Sequence, residues 1–184
     1  KCFDKIKWLG YLYDRPAPKN ASCAIPDTLN LIGLKPSGGK SLLIKVKILL
    51  LLPYYIFHII QLINKSDVIH TRGPSIPALI ALCLTYFYPK KIFWHKYAGN
   101  WNQKNPPYSY SLQRFIIKYQ PSNSKITING KWKNQSLKML SFENPCFSIL
   151  ELEKSKTIAC EKNYDNKLNI CFVSRLEYEK GVLI

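Results

Sequence analysis

Apolar runs of strand length and apolar runs of helix length take turns along this chain, and that alternation restricts it to a small set of architectures. Ile6 to Tyr13 and Leu29 to Leu34 have strand length, whereas Ser41 to Ile63 is long enough for a helix, with a kink expected at Pro53. Asp67 to Thr71 reads as a short buried strand, followed by the loop Arg72-Gly73-Pro74 and a helix from about Ser75 to Tyr86 that Pro89 stops. Ile92 to Tyr97 makes the next strand, Tyr108 to Tyr119 an amphipathic helix, Lys125 to Ile128 a strand, Trp132 to Leu140 a short helix and Cys146 to Leu150 a last strand. Strands separated by helices of this length predict an α/β fold, a doubly wound parallel sheet with helices on both faces. Ligands bind such sheets at the carboxyl ends of the strands, so function is expected in the loops after Thr71 and Tyr97. A first domain is expected over residues 1–150. The polar, Lys/Glu/Asn-rich stretch 151–167 reads as a linker, or a linker with a frayed helix, and 168–184 as the first strand and turn of a second domain.

Charge narrows the partners. Of 184 residues, 27 are Lys or Arg and 11 are Asp or Glu, a net charge of +16 that attracts anionic lipid, phosphorylated ligands or nucleic acid. The lysines are scattered, without an arginine-rich block or the spacing of a zinc finger, basic zipper or RNA-recognition strand, so no nucleic acid is expected as a partner. A solvated lysine-rich surface and a basic face toward an anionic membrane both fit. The six cysteines include no C-x-x-C pair and no His at metal-ligand spacing, which gives no basis for a metal site. Cys83 and Cys171 lie in apolar runs, where a thiol acts as a small hydrophobe, and a reducing cytoplasm is the expected home. The three N-x-S matches, at Asn20, Asn64 and Asn134, matter only in a secretory pathway, and Lys1 to Lys7 does not open a signal peptide. Leu42 to Ile63 is interrupted by Lys45, Lys47, Pro53, His58 and Gln61, which leaves an uninterrupted apolar run well short of the ~20 residues of a membrane span. A helix packed on a sheet is expected there, with interfacial membrane contact as the alternative.

Four segments carry chemistry. Gly33 to Ser41 approaches the phosphate-binding pattern G-x-x-x-x-G-K-[ST] but is one residue too long: counting back from Gly39-Lys40-Ser41, Leu34 occupies the first glycine position, and no strand ends in an acid to serve Mg²⁺. At Arg72-Gly73 a cation sits at a strand end. Lys96-Tyr97-Ala98-Gly99-Asn100-Trp101-Asn102 combines a permissive glycine, amides and flat aromatic faces with polar edges, which suits a sugar ring; a structural turn with an aromatic plug fits the same composition. Strand alternation is expected to put His95 inside as a hydrogen-bonded core residue. Arg175 and Lys180, five apart across a strand-to-helix turn ending in Gly181, can present positive charge with free backbone N–H groups to a phosphate.

Phe172-Val173-Ser174-Arg175-Leu176-Glu177-Tyr178-Glu179-Lys180-Gly181 resembles the F-V-G-R-L-x-x-x-K-G segment that opens the donor domain of GT-B glycosyltransferases of family 4. Asp67-Val68-Ile69-His70 with Arg72, and Lys96 to Trp101, resemble the acceptor domain of bacterial family 4 enzymes acting on cell-surface polysaccharides, and Asn129 to Ser136 is similar to a G-x-W-x-N-Q-S element of that group. The resemblance runs from about Ile6 to the last residue. It implies two Rossmann-like domains, with transfer of a sugar, by retention, from a nucleotide diphosphate sugar to a saccharide or lipid-linked saccharide at an anionic membrane face. It implies donor diphosphate contacts at Arg175 and Lys180, which would neutralise the departing diphosphate without a metal or other cofactor. It implies an acceptor site drawn from Arg72, Gly73, Tyr97, Gly99, Asn100 and Trp101. Ser174 replaces the family's usual glycine, and no catalytic role is carried over to His95. The donor-binding E-x7-E motif is expected beyond Ile184 and the first acceptor-domain strand, with its glycine-rich loop, before Lys1. The expected object is therefore a cytoplasmic or peripheral transferase segment, inactive by itself. A P-loop-like NTPase and a basic non-catalytic binding domain are the rival classes.

Overall fold

The structure is a computed structural model that describes residues 4–14, 16, 29–38, 41–133, 135–142 and 149–161. Chain contacts divide it into two units, Lys1–Glu143 and Asn144–Ile184.

In the first unit the expected alternation is realised. The elements are β1 (Ile6–Tyr11), β2 (Leu29–Leu34), α1 (Leu42–Asn64), β3 (Val68–Gly73), α2 (Ile76–Leu84) with a 3-10 turn at Thr85–Phe87, β4 (Ile92–Tyr97), α3 (Tyr108–Lys118), β5 (Ser124–Asn129) and β6 (Met139–Phe142). Each strand run contains a β-branched or aromatic residue, and α2 begins at a side-chain cap. That cap is Ser75, whose Oγ accepts from the Ala78 amide at 3.2 Å, followed by a proline in the first turn. Pro53 lies inside α1, which continues through it.

All strand pairs are parallel, as expected, but they form two sheets: β1 pairs with β2, and β3-β4-β5-β6 form a second sheet in sequence order. Because that order never reverses, right-handed crossovers deliver the connecting helices to one face. Ile69 and Phe93 pack with Tyr55, Ile59 and Ile63 of α1 and Ile80 and Ala81 of α2, joined by Leu9, Tyr11 and Leu34 from the first sheet. Tyr97, Ile126, Ile128 and Met139 pack with Leu82 of α2, Ile117 of α3 and Trp101. The opposite face presents Val68, Ile92, Trp94 and Leu140, all substantially exposed.

Three sequence expectations are corrected. The described residues of 132–140 do not make a helix: Gly130 adopts φ 74°, Gln135 closes a turn on Trp132, and the chain enters β6 at Met139. Gln135 accepts from the Trp132 amide and donates to the Met139 carbonyl, and Trp132 Nε1 donates to Asn129 O at 2.8 Å, so side-chain bonds replace helical ones. Nor do Ile149 and Leu150 end a strand. In the second unit they begin α4 (Ile149–Glu161), which covers most of the stretch expected as a linker and buries no residue. Cys83 is also exposed rather than a core thiol, because the α2 stripe that faces inward is Ala78, Ala81 and Leu82.

Candidate functional site

The site is built where β3, β4 and β5 end. Register pairs Thr71 with His95, Arg72 with Lys96 and Gly73 with Tyr97, so successive residues alternate between the helix-covered face and the open one. Thr71, His95 and Tyr97 turn inward; His70, Arg72, Trp94 and Lys96 turn outward.

Inward, His95 is 1% exposed, the core histidine expected from alternation. Its Nδ1 lies 2.8 Å from Thr71 Oγ1 and its Nε2 lies 3.1 Å from Thr85 Oγ1. The Thr85 hydroxyl donates its one proton to Ala81 O at 2.9 Å, so it accepts from His95, and the Nε2–H tautomer follows; Nδ1 then accepts from Thr71. This neutral imidazole has both nitrogens satisfied. Burial, with a smaller contribution from His70, lowers its pKa to about 4. A buried group of this kind holds β3, β4 and α2 together and is not placed to meet a substrate.

Outward, three basic side chains gather. Arg72 is exposed, while Lys96 is largely covered and its Nζ sits 3.5 Å from the centroid of the Phe142 ring. His70 packs on Trp94 at 4.5 Å between ring centroids. Burial, then Lys96 and Arg72, lower the His70 pKa, and burial, then Arg72, lower that of Lys96. Each cation makes the next harder to charge, which is the signature of a positive patch that an anion would relieve. Lys96 and His70 were not among the residues singled out as ligand contacts. Alternation alone could have put them beside Arg72, had the β3–β4 register been known.

The loops after β3 and β4 are knitted together. The Gly73–Pro74 peptide is cis, Ala98 N donates to Gly73 O at 2.8 Å, and Asn129 Nδ2 donates to Ala98 O at 2.9 Å. A side chain at Gly99 would meet Pro74 Cδ at 3.1 Å and Tyr97 Cε1 at 3.2 Å, tighter than ordinary contact, so the loop packs closely on both rings at this glycine. Asn100 is exposed, and its Oδ1 accepts from the Asn102 amide at 3.0 Å, an Asx turn that orients the loop.

Tyr97 and Trp101 do not offer their faces to a ring outside. Tyr97 is 0% and Trp101 8% exposed, packed edge to face at 5.3 Å in the core beneath the loop, with Arg114 donating to the Trp101 carbonyl. Of the two readings that their composition allowed, the structure realises the aromatic plug, because the apolar area of both rings is worth more against Ile117 and Ile128 than in water. Among the described residues, three buried polar atoms lack a hydrogen-bond partner: Tyr97 Oη, Gln113 Nε2 and Asn129 Oδ1. All three belong to residues that frame these loops: Gln113 Oε1 accepts from the Ser75 amide at 3.2 Å, and Asn129 holds Ala98.

Other expected features separate from this place. Leu34 is 1% exposed in the core, so the first position of the phosphate-loop-like pattern is a packing residue, and Gly39 and Lys40 lie outside the described residues. Arg175 and Lys180 also lie outside them. The described residues contain no cluster of three or more His, Cys, Asp or Glu able to hold a metal. A cavity of about 400 Å³ brings Trp101 beside Gln135 and Ser136, joining two of the segments singled out separately in the sequence. A second, apolar groove of about 420 Å³ lies between Cys83, Tyr86 and Phe87 on one side and Phe115, Ile116 and Tyr119 on the other. No protein-family model, curated protein or solved structure matches this chain.

Proposed function

We propose that the first unit is the acceptor-binding domain of a GT-B glycosyltransferase with a Rossmann-like parallel sheet, and that it holds a saccharide or lipid-linked saccharide at the carboxyl ends of β3 and β4. The observation that carries this reading is the register that pairs Arg72 with Lys96 at the ends of two adjacent parallel strands, with Asn100 exposed in the loop that follows the second, where sheets of this class take their ligands. Arg72 offers a planar fork of donors and Lys96 a point charge, a pair suited to a phosphate-bearing acceptor. Asn100 both donates and accepts, as sugar hydroxyls require. Tyr97 and Trp101 act from beneath, setting the height of the loop, while Gly99 lets it close on the Pro74 and Tyr97 rings and Gly73 leaves room for the Gln113 and Ala78 side chains.

The sugar would come from a nucleotide diphosphate sugar. Arg175 and Lys180 remain its diphosphate ligands on the resemblance of their segment alone, with no metal or other cofactor assigned. A P-loop NTPase is disfavoured by the burial of Leu34 in the core.

The test is binding. The ¹⁵N-labelled chain is titrated with an oligosaccharide carrying a terminal phosphate, with inorganic phosphate and with ATP. Amide shifts centred on Gly73, Gly99 and Asn100 are expected with the phosphorylated oligosaccharide. Arg72→Ala should weaken its binding about tenfold, the loss of one charge-assisted hydrogen-bonding group. Shifts confined to residues 33–41 on adding ATP, or none with any saccharide, would refute the reading.

A further inference from the structure

We infer that the outer face of α1 is a docking surface for an anionic lipid bilayer. The helix has two apolar faces. Tyr55, Ile59 and Ile63 are buried on the sheet side, and Tyr54 and Tyr55 donate to the carbonyls of Gly33 and Lys35 at the end of β2. On the other side Leu43 (82%), Val46, Leu50 (74%) and Phe57 are exposed. At roughly 100° per residue, Val46, Leu50 and Phe57 share one stripe, opposite the buried one.

Charge decides what covers that stripe. On the same wheel Lys45 and Lys47 fall roughly 100° to either side of it, so both ammonium groups flank the apolar strip. Both lysines are exposed, and the helix contains no acidic residue. A protein partner would have to accommodate two lysines where interfaces are depleted of them. A bilayer accommodates them directly, because lysine stems cover apolar surface while their heads reach the lipid phosphates. The net charge of +16 acts in the same direction.

Geometry limits the mode of contact. Helix 43–64 is long and apolar enough to cross a membrane. Crossing would strip Tyr55, Ile59 and Ile63 out of the core, so the helix lies along the interface with its inner face still on the sheet. Within α1, none of residues 43–54 is fully buried. Tyr54 and Tyr55 reach the end of β2, so the first ten residues of α1 extend roughly 15 Å before the turn that is tied to that strand. This inference does not depend on the glycosyltransferase reading.

The experiment is sedimentation of the full chain with vesicles of phosphatidylglycerol and phosphatidylcholine in equal parts, and with vesicles of phosphatidylcholine alone. Binding is expected with the first and not the second, and should weaken as salt rises. Leu50→Asp and the pair Lys45→Glu, Lys47→Glu should each reduce the bound fraction about tenfold, since lipid binding scales with inserted apolar area and with charge. Their far-UV spectra and melting temperatures should stay unchanged, because all three residues are exposed. A Val46→Trp variant should shift its emission to the blue on vesicle addition and be quenched by brominated acyl chains. The inference is overturned if the wild type ignores anionic vesicles, if Leu50→Asp binds them equally well, or if light scattering finds a dimer that Leu50→Asp dissolves while vesicles have no effect. Saccharide binding at Asn100 is a separate readout, so either conclusion can fail alone.

Discussion

Acidification should destabilise the first unit through His95, by an amount the structure allows to be worked out. The imidazole is neutral in the fold and its pKa falls from the ordinary 6.5 to about 4. Between those values the unfolded chain binds a proton that the folded chain refuses, so stability rises with pH across the window. The contribution is whole above about pH 6.5 and is lost as pH falls through about 4. At about 1.4 kcal/mol per tenfold change in proton affinity the full difference is ~3 kcal/mol, of which about 2.5 kcal/mol disappears between pH 7 and pH 4.5. No discount for solvent screening applies to a side chain that is 1% exposed. Against a typical total of ~5–15 kcal/mol, that is a large fraction. Guanidinium unfolding curves taken in steps from pH 7 to pH 4.5 measure it. His70, whose pKa is also lowered, adds a slope of the same sign, so the comparison is with His95→Gln, which keeps an amide donor for Thr85 and cannot titrate. The gap between wild type and variant should move by about 2.5 kcal/mol over the window. Parallel curves, or a His95 ring that titrates near 6.5 by NMR, would refute the buried neutral tautomer.

Gly99→Ala should lower the melting temperature by several degrees: its methyl meets three ring atoms of Pro74 and Tyr97 at 3.1–3.3 Å, and overpacking of that kind costs ~1–3 kcal/mol. An unchanged melt would mean the two loops are not in contact. Tyr55→Phe removes a fully buried phenol that donates to Lys35 O at 2.8 Å and should cost about 1 kcal/mol in denaturant unfolding, with the unpaired carbonyl as the cause. If Tyr55→Phe is neutral, the end of β2 is not tied to α1 by that bond.

Several elements could be read directly from residue order. Leu29–Leu34, Ile92–Tyr97 and α1 lie within a residue of where apolar periodicity puts them, because side-chain period is a local property of backbone geometry. The interior place of His95 followed from the same alternation. Residues 132–140 were misread because their apolar content suits a helix, while Gly130, Trp132 and Gln135 impose a turn through side-chain bonds that periodicity does not register. The placement of the candidate site's residues was legible in part. Arg72, Gly73, Gly99 and Asn100 gather at strand ends as expected, whereas the part played by Lys96 and His70 depends on a pairing register between segments more than twenty residues apart.

By itself, the amino-acid order determined that short strands and longer helices alternate over residues 29–129, since that rests on patterns within a few residues, and the helices between the strands implied that those strands run parallel. Tertiary structure decided which side of each element is inside. It turned Tyr97 and Trp101 down into the core, left Cys83 in solvent, split the strands between two sheets and kept a second apolar stripe of α1 uncovered. A periodic pattern marks two faces of an element, and only packing against its neighbours selects which of them leaves water.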